Sequence, residues 1–388
     1  SPYPIPELKA YLKLFRKHFY RCESLHTLER FVTGQMSDIE RKSGAGIAEG
    51  VAGLSEGAVY RLMVETEWDE EALNQQRVET MLAGWVAGDG VLVVDEGSYP
   101  RQGDKCVGVG RQYCGELGKV ANCQVFVTGH YVDPYYAWPT SGRLYLLEEW
   151  ANDAARREEA RIPEDVVFQT KPEIALDVID QARKMGVPFE GVVADGGYGN
   201  NPNFLAGLEE RGLWCGVAVA CDFGVCLADE IAAGDAPLHR ADAVVARQPT
   251  SAWQTITWRK GSEGLLTKQF VAIRAHRATA EWTGPEGWLV GEHPLPKEEA
   301  EAEDQKEKPQ YYWSDLPVDT PLARLAEVLH RRPSIERGYQ DGKGEGGQKH
   351  YPARRWSSFH RHLVIEMLTL SWLIRQQPQP KEVVIQTA

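Results

Sequence analysis

No stretch of the chain reaches the roughly 18 to 20 uninterrupted apolar residues that a membrane helix needs. The start, SPYPIPELKAYLKLF, lacks the layout of a secretory signal. The expectation is a soluble protein with no membrane partner, working in the cytoplasm. Cysteine is sparse and unpatterned. Cys22, Cys106, Cys114, Cys123, Cys215, Cys221 and Cys226 form no C-x-x-C pair of the kind that builds zinc or redox sites, and seven is an odd number. Most read as small core residues in a reducing compartment. Excess positive charge is missing too: 43 Lys and Arg face 56 Asp and Glu, a net charge of −13. A uniformly basic coat for nucleic acid is excluded, so any DNA partner must be met by local basic patches. What is present is 43% hydrophobic residues with 12 Trp and 15 Tyr in 388 positions, enough for a packed core in two or three domains.

The pattern is helical from Pro6 to about Gln75, with Leu8, Leu12, Phe15 and Phe19 at three-to-four-residue spacing. Lys9, Lys13, Arg16, Lys17, Arg41 and Lys42 make this module either a DNA grip or a helical bundle packed on the next domain. Between Gly88 and Asp133, GVLVVDEG, KCVGVGRQYCG and NCQVFVTGHYV read as three strands in an antiparallel meander. PEIALDVIDQARKMGV then reads as an amphipathic helix, and FEGVVADGGYG as a buried strand ending at Asp195. Residues from about 200 to 320 return to β texture, interrupted by KEEAEAEDQKEK, a solvated charge run. The last segment is helical, and its apolar run HLVIEMLTLSWLI, with Glu366 inside, is too short to span a membrane and predicts a buried helix. The resulting division is 1–85, 86–200, 201–320 and 321–388 within a mixed α/β architecture.

Asp95 ends a Val/Leu run in VLVVDEGSYP, and Asp195 does the same in GVVADGGYG, where Gly196 and Gly197 allow a sharp turn. Two buried strands that each deliver a carboxylate suit a hard cation such as magnesium. An Asp after a strand also serves as a turn residue or helix cap, and that reading stands beside the first. In LHRRPSIERGYQDGKGE, Arg332, Glu336, Tyr339 and Lys343 fall on one face if the segment is helical. This is either a surface salt-bridge face or a carboxylate set between two cations. Glu96 beside Asp95 does not make a glycosidase pair, because strand neighbours point to opposite faces. GVGRQYCG lacks the helix and spacing of a dinucleotide fingerprint.

Three segments together resemble the bacterial DDE-type insertion-sequence transposases, within the IS-four-like superfamily and its IS-seven-hundred-one branch. They are VVDEGSYPRQGDKCVGVGRQYCGELGKVANCQVFV, VVADGGYGNNPNFL, and RPSIERGYQDGKGE with its continuation HYPARRWSSFHRHL. The third is similar to the family's Y-x2-R-x3-E-x6-K signature at Arg332, Glu336 and Lys343. Leu329 stands at the signature tyrosine, Gly97 at a common threonine and Gly342 at the usual leucine before the lysine, departures that leave the three acids whole.

The resemblance implies an RNase H-like (retroviral-integrase-like) catalytic core carrying a β-rich insertion and an N-terminal helical DNA-binding module. Asp95, Asp195 and Glu336 would hold two Mg2+ or Mn2+ ions for phosphodiester cleavage and strand transfer. The implied partners are double-stranded DNA, as terminal inverted repeats and target, and a second copy in a homodimer, nucleoid-associated in a bacterium. Expected DNA contacts are Arg332, Tyr339 and Lys343 near the cleaved bond. His350, Arg354, Arg355, Trp356 and His360 form a basic patch with interleaved aromatics, with Arg41 and Lys42 in the first module. Trp356 reads equally well as a core residue. The competing functions are a transposase-derived DNA-binding protein that never cuts, and an RNase H-like nuclease without strand transfer.

Overall fold

The computed structural model describes residues 2–261, 264–295, 308–333, 335 and 351–377. Glu336, Tyr339, Lys343, His350 and nearly all of the acidic run at 297–308 lie outside the described residues. The chain forms two compact units: Ser1–Gly90, Asp95–Pro188 and Ile335–Ala388 make the first, and Val91–Val94 with Phe189–Ser334 the second. Strand β1 (Val91–Pro100) is shared, its first four residues belonging to the second unit.

In the first unit, the apolar residues spaced along the N-terminal helices Pro6–Lys13 and Cys22–Gln35 turn to one side and are buried. Leu8, Leu12, Phe15 and Phe19 share a core with Val364, Ile365, Leu368 and Trp372 of the helix Trp356–Gln376. The Tyr11 ring lies 5.4 Å from both Phe15 and Trp372. The apolar run near the C-terminus is therefore the buried helix its sequence predicts. The helix Glu70–Leu82 starts on Asp69, whose carboxylate accepts from the Glu71 and Ala72 amides at 2.9 Å, filling donors that the first turn leaves open.

The strands of this unit depart from a simple meander. Besides β1 they are β2 (Gly110–Cys114), β3 (Lys119–Val132) and β4 (Ala137–Leu144). β3 lies between β1 on one edge and both β2 and β4 on the other. Its 14 residues are long enough for β2 to pair with Lys119–Cys123 and β4 with Phe126–Val132. The amphipathic helix Lys171–Lys184 buries Ile174, Ala175, Val178, Ile179 and Ala182. It begins with a reciprocal cap, Thr170 Oγ1 accepting from the Glu173 amide and Glu173 from that of Thr170.

The second unit is built on a mixed sheet. β5 (Gly191–Ala194), fully buried, pairs in parallel with the start of β1 and with β6 (Trp214–Val219). The remaining strands are antiparallel: β7 (Gly224–Leu227), β8 (His239–Arg240), β9 (Gln254–Gly261), β10 (Gly264–Ala278), β11 (Thr283–His293) and β12 (Gln310–Ser314). The order runs β1-β5-β6-β12-β11-β10-β7-β8, with β9 on β10. The β-textured stretch after residue 200 thus continues the sheet that β5 begins, since β12 pairs with β6. The helix Leu322–Leu329 buries Leu325, Ala326, Val328 and Leu329.

Among the described residues no helix is long and apolar enough to cross a membrane. Cys106, Cys114, Cys123, Cys215 and Cys226 are buried thiols, as core residues should be, while Cys22 and Cys221 are exposed.

Candidate active site

β1 and β5 run parallel in register, Leu92 opposite Val192 and Val93 opposite Val193. Two residues beyond the second pair, each strand's chain reaches an aspartate, Asp95 and Asp195. Both carboxylates come directly after a buried Val-rich run: β5 ends there and Asp195 follows it, whereas β1 continues past Asp95 to Pro100, so Asp95 is a buried residue within its strand.

Asp95, on β1 in the first unit, is 8% exposed. Its Oδ1 accepts from the Glu96 amide at 2.9 Å, and its carbonyl accepts from Thr128 Oγ1 at 3.3 Å. Glu96 points the other way, outward, and pairs with Lys171 at 2.6 Å; the alternation of the strand separates the two acids as expected. The same hydroxyl of Thr128 lies 3.3 Å from Nε2 of His130. Burial, reinforced by nearby Arg77, pushes His130 down to about 3, so its ring is neutral at ordinary pH. Gly97 has a local cause: a Cβ there would lie 2.1 Å from Phe126 Cζ. The aromatic ring occupies the space that the family's usual threonine would take.

Asp195, in the second unit, caps the short turn Gly196–Gly199, with Oδ1 accepting from the Gly197 amide at 2.9 Å. A Cβ at Gly199 would meet the Ala218 carbonyl at 2.0 Å; glycine is what lets the turn lie against β6. The cap is one role of Asp195, and the second carboxylate oxygen faces a cation. Oδ2 stands 3.7 Å from Nη2 of Arg332, both side chains being about one-third exposed, at 37% and 31%.

Arg332 comes out of a tightly held segment that sequence reading misses. The preceding His330 lies 4.0 Å from Trp258, centroid to centroid, with Phe270 at 5.5 Å. Its Nε2 meets Glu292 at 3.0 Å and its Nδ1 the Ala326 carbonyl at 2.8 Å. Glu292, 2% exposed, also takes Lys268 at 2.5 Å. His330 and Lys268 hold its carboxyl at about 2, against the raising effect of burial. Arg331, 4% exposed, pairs with Glu327 at 2.8 Å. Leu329, at the signature tyrosine position, is buried over Gly216, where a Cβ would stand 3.3 Å from its Cδ2. These contacts join sequence segments too far apart for any motif to reveal.

The predicted basic set divides. Arg41 and Arg354 are exposed and Arg355 is half-buried at the start of the helix Trp356–Gln376. Lys42 is turned inward, 6% exposed, with Nζ donating to the Gln35 carbonyl at 2.8 Å, so it presents no ammonium to a phosphate. His360 is held neutral, its pKa lowered to about 4 chiefly by burial. Trp356 is half-buried, packs against the core of the first unit and lies 4.5 Å from His360. Arg361 is drawn inside to Glu70, at 3.4 Å, and the Trp68 carbonyl, at 3.1 Å.

Among the described residues no three His, Cys, Asp or Glu side chains are grouped to hold a metal ion. The two aspartates are hard oxygen donors, each with one oxygen fixed by a backbone amide. The guanidinium beside Asp195 Oδ2 shows that positive charge is accommodated at that carboxylate. This donor chemistry fits magnesium or manganese.

A family model described as DDE superfamily endonuclease matches residues 14–265. The chain is also 30% identical over 204 residues to a probable transposase for insertion sequence element IS701 from Microchaete diplosiphon, a match covering 52% of this chain and 51% of that protein. The chain thus spans about half the length of that relative. Since the family model covers more than half of its residues, including Asp95 and Asp195, this chain belongs to the DDE superfamily of endonucleases.

Proposed function

We propose that the chain is a DNA transposase that cuts phosphodiester bonds at the ends of an insertion element and joins the freed 3′ ends into target DNA. The observation that carries this reading is the parallel register of β1 and β5, with an aspartate two residues beyond the last paired position on each chain. A carboxylate pair of that origin is what an RNase H-like core uses. The similarity to a probable insertion-sequence transposase supports the choice of DNA as substrate.

In this reading Asp95, Asp195 and Glu336 hold two magnesium or manganese ions. Held by those carboxylates, such ions would supply activation of the attacking oxygen and stabilisation of the leaving one. The remaining work falls to the chain's own side chains. Asp95 and Asp195 present oxygens whose orientation is set by the Glu96 and Gly197 amides. Arg332, fixed beside Asp195, takes a non-bridging phosphate oxygen of the DNA end. Lys343 and Tyr339 are assigned to the same strand, and His350 to the basic stretch after it. Two copies act on paired ends, because two DNA ends must be processed together.

The test is cleavage of DNA carrying the element's terminal repeats, with Mg2+, Mn2+ or chelator, comparing the unaltered chain with Asp95→Asn and Glu336→Gln. Metal-dependent nicks at the repeat ends should vanish in both variants, and strand-transfer products should go with them. Binding of those ends without cleavage under either metal would turn the assignment to a DNA-binding descendant. Cleavage without joined products would turn it to a nuclease.

A further inference from the structure

The first unit contains a cavity of about 670 Å³ that brings together residues from three distant parts of the chain. Arg41 enters from the N-terminal helices, and Arg354 and Arg355 from the start of the C-terminal helix. Tyr60 and Tyr351 also line it. We propose that this cavity binds a nucleoside phosphate, with the phosphate on Arg41, Arg354 and Arg355 and the base on the tyrosine rings.

The electrostatics favour an anion despite the acidic chain. The lining carries five cationic side chains against three acidic ones, in a protein of net charge −13. Two of the cations are already engaged: Lys105 pairs with Glu159 at 3.7 Å, and Arg156 is shared by Glu149, at 3.7 Å, and Asp153, at 3.5 Å. Arg41, Arg354 and Arg355 make no ion pair among the described residues. Planar guanidinium groups take phosphate oxygens in pairs, and three in one concavity suit a phosphate better than a carboxylate.

The aromatic side favours a base over bare phosphate. Tyr60 is 48% exposed, an uncovered ring at the cavity wall. The Tyr351 ring is braced by stacking on His362, centroids 4.8 Å apart and planes 10° from parallel. A ring already held in place loses little entropy when a base stacks on it. The remaining acids, Glu56 and Asp104, are acceptors for exocyclic amino groups. The volume lies in the range of pockets that hold ligands of nucleotide size. None of this involves the metal-binding acids, so the site stands or falls independently of cleavage.

The nucleotide can come from a DNA strand or be free in solution, and the two sources separate by experiment. Binding is measured by calorimetry in chelator, using deoxyadenosine monophosphate, inorganic phosphate, a short all-thymidine single strand and a duplex of equal length. The Arg41→Ala/Arg354→Ala/Arg355→Ala protein should weaken the monophosphate and the single strand by at least about tenfold. Its melting temperature should stay within a few degrees, as expected for two exposed residues and a half-buried one that makes no ion pair among the described residues. Tyr60→Ala should weaken the monophosphate but leave inorganic phosphate unchanged. Binding of the single strand but not of the monophosphate would keep the site and assign it to a DNA strand. Equal affinity for inorganic phosphate and monophosphate, untouched by Tyr60→Ala, would overturn the nucleoside part. Affinities unchanged in the triple variant, or no binding of any probe by the unaltered protein, would overturn the site.

Discussion

Mild acid should destabilise the first unit through His360, and the size of the effect follows from how its ring is held. Nδ1 donates to the Trp356 carbonyl at 2.9 Å, while Nε2 accepts from the Leu144 amide at 3.4 Å. An imidazolium has no acceptor nitrogen, so a second proton would set N–H against N–H. Burial is the main cause that lowers the pKa from 6.5 to about 4, opposed by the bond to Trp356 and aided by Arg143. The unfolded ring takes its proton near 6.5 and the folded one only near 4. Between those values the unfolded state binds more protons, so stability falls as pH falls and is regained above about pH 7. The full difference is about 3.4 kcal/mol once both states are protonated, of which about 2 kcal/mol is lost between pH 7 and pH 5.

His360→Gln tests this, because an amide keeps one donor and one acceptor without titrating. Urea unfolding followed by tryptophan fluorescence at about pH 7 and pH 5 gives the two stabilities of each protein. The variant is expected to start somewhat less stable but to lose about 2 kcal/mol less on acidification. His130, buried and pushed down to about 3, adds a second increment of similar size that His360→Gln leaves intact. Equal losses in the two proteins would refute the neutral-ring account.

Three further outcomes follow from single contacts. Tyr99→Phe removes the hydroxyl that donates to Glu366 Oε2 at 2.8 Å, on a carboxylate only 2% exposed. The loss should be about 1.5–3 kcal/mol in urea unfolding. Glu292→Ala strips His330 and Lys268 of a shared carboxylate and should cost about 3–5 kcal/mol. In the unaltered protein the Glu292 contribution is complete above about pH 4.5 and fades only as pH falls towards 2, a window below that of His360. Gly97→Ala forces a methyl into the Phe126 ring and should lower stability by about 1–3 kcal/mol; Phe126→Leu in the same chain should recover part of it. Calorimetric melting of the single and double variants measures both steps.

Local signals in the sequence carried as far as local physics reaches. The helix Lys171–Lys184 was legible because its apolar positions recur every three to four residues and Thr170 and Glu173 stand at capping spacing. The strand end at Asp195 was legible because the apolar run stops there, whereas β1 runs past Asp95 to Pro100, with Gly97, Ser98 and Tyr99 buried beyond the acids. The position of β3 between β1 and the pair β2 and β4 was not, since strand order depends on pairing between residues far apart in sequence. Charge alone misled at Lys42 and His360. A lysine in a basic stretch and a histidine beside arginines look like phosphate contacts until burial shows which way they face. The His330–Glu292–Lys268 cluster had no signal at all, because its members come from a helix end and two strands and meet only in the folded unit.

The proposed DNA substrate would meet a chain whose net charge is −13, and burial among the described residues does not change that balance. Arg77 sits at 0% exposure, donating to the Thr140 carbonyl and Ser371, and Arg361, Arg331, Arg277 and Lys42 are likewise interior. These side chains count in the total of 43 Lys and Arg but show little charge to a passing polyanion. Five acids, Glu29, Asp95, Asp133, Glu292 and Glu366, are buried beside the five interior cations, so among the described residues burial leaves the outward balance as acidic as the net charge of −13 implies. For the DNA substrate proposed above, electrostatic steering would not be the main route of encounter. The proposed reading therefore places recognition on close contacts, at Arg332 beside Asp195 and at the arginine-lined cavity of the first unit.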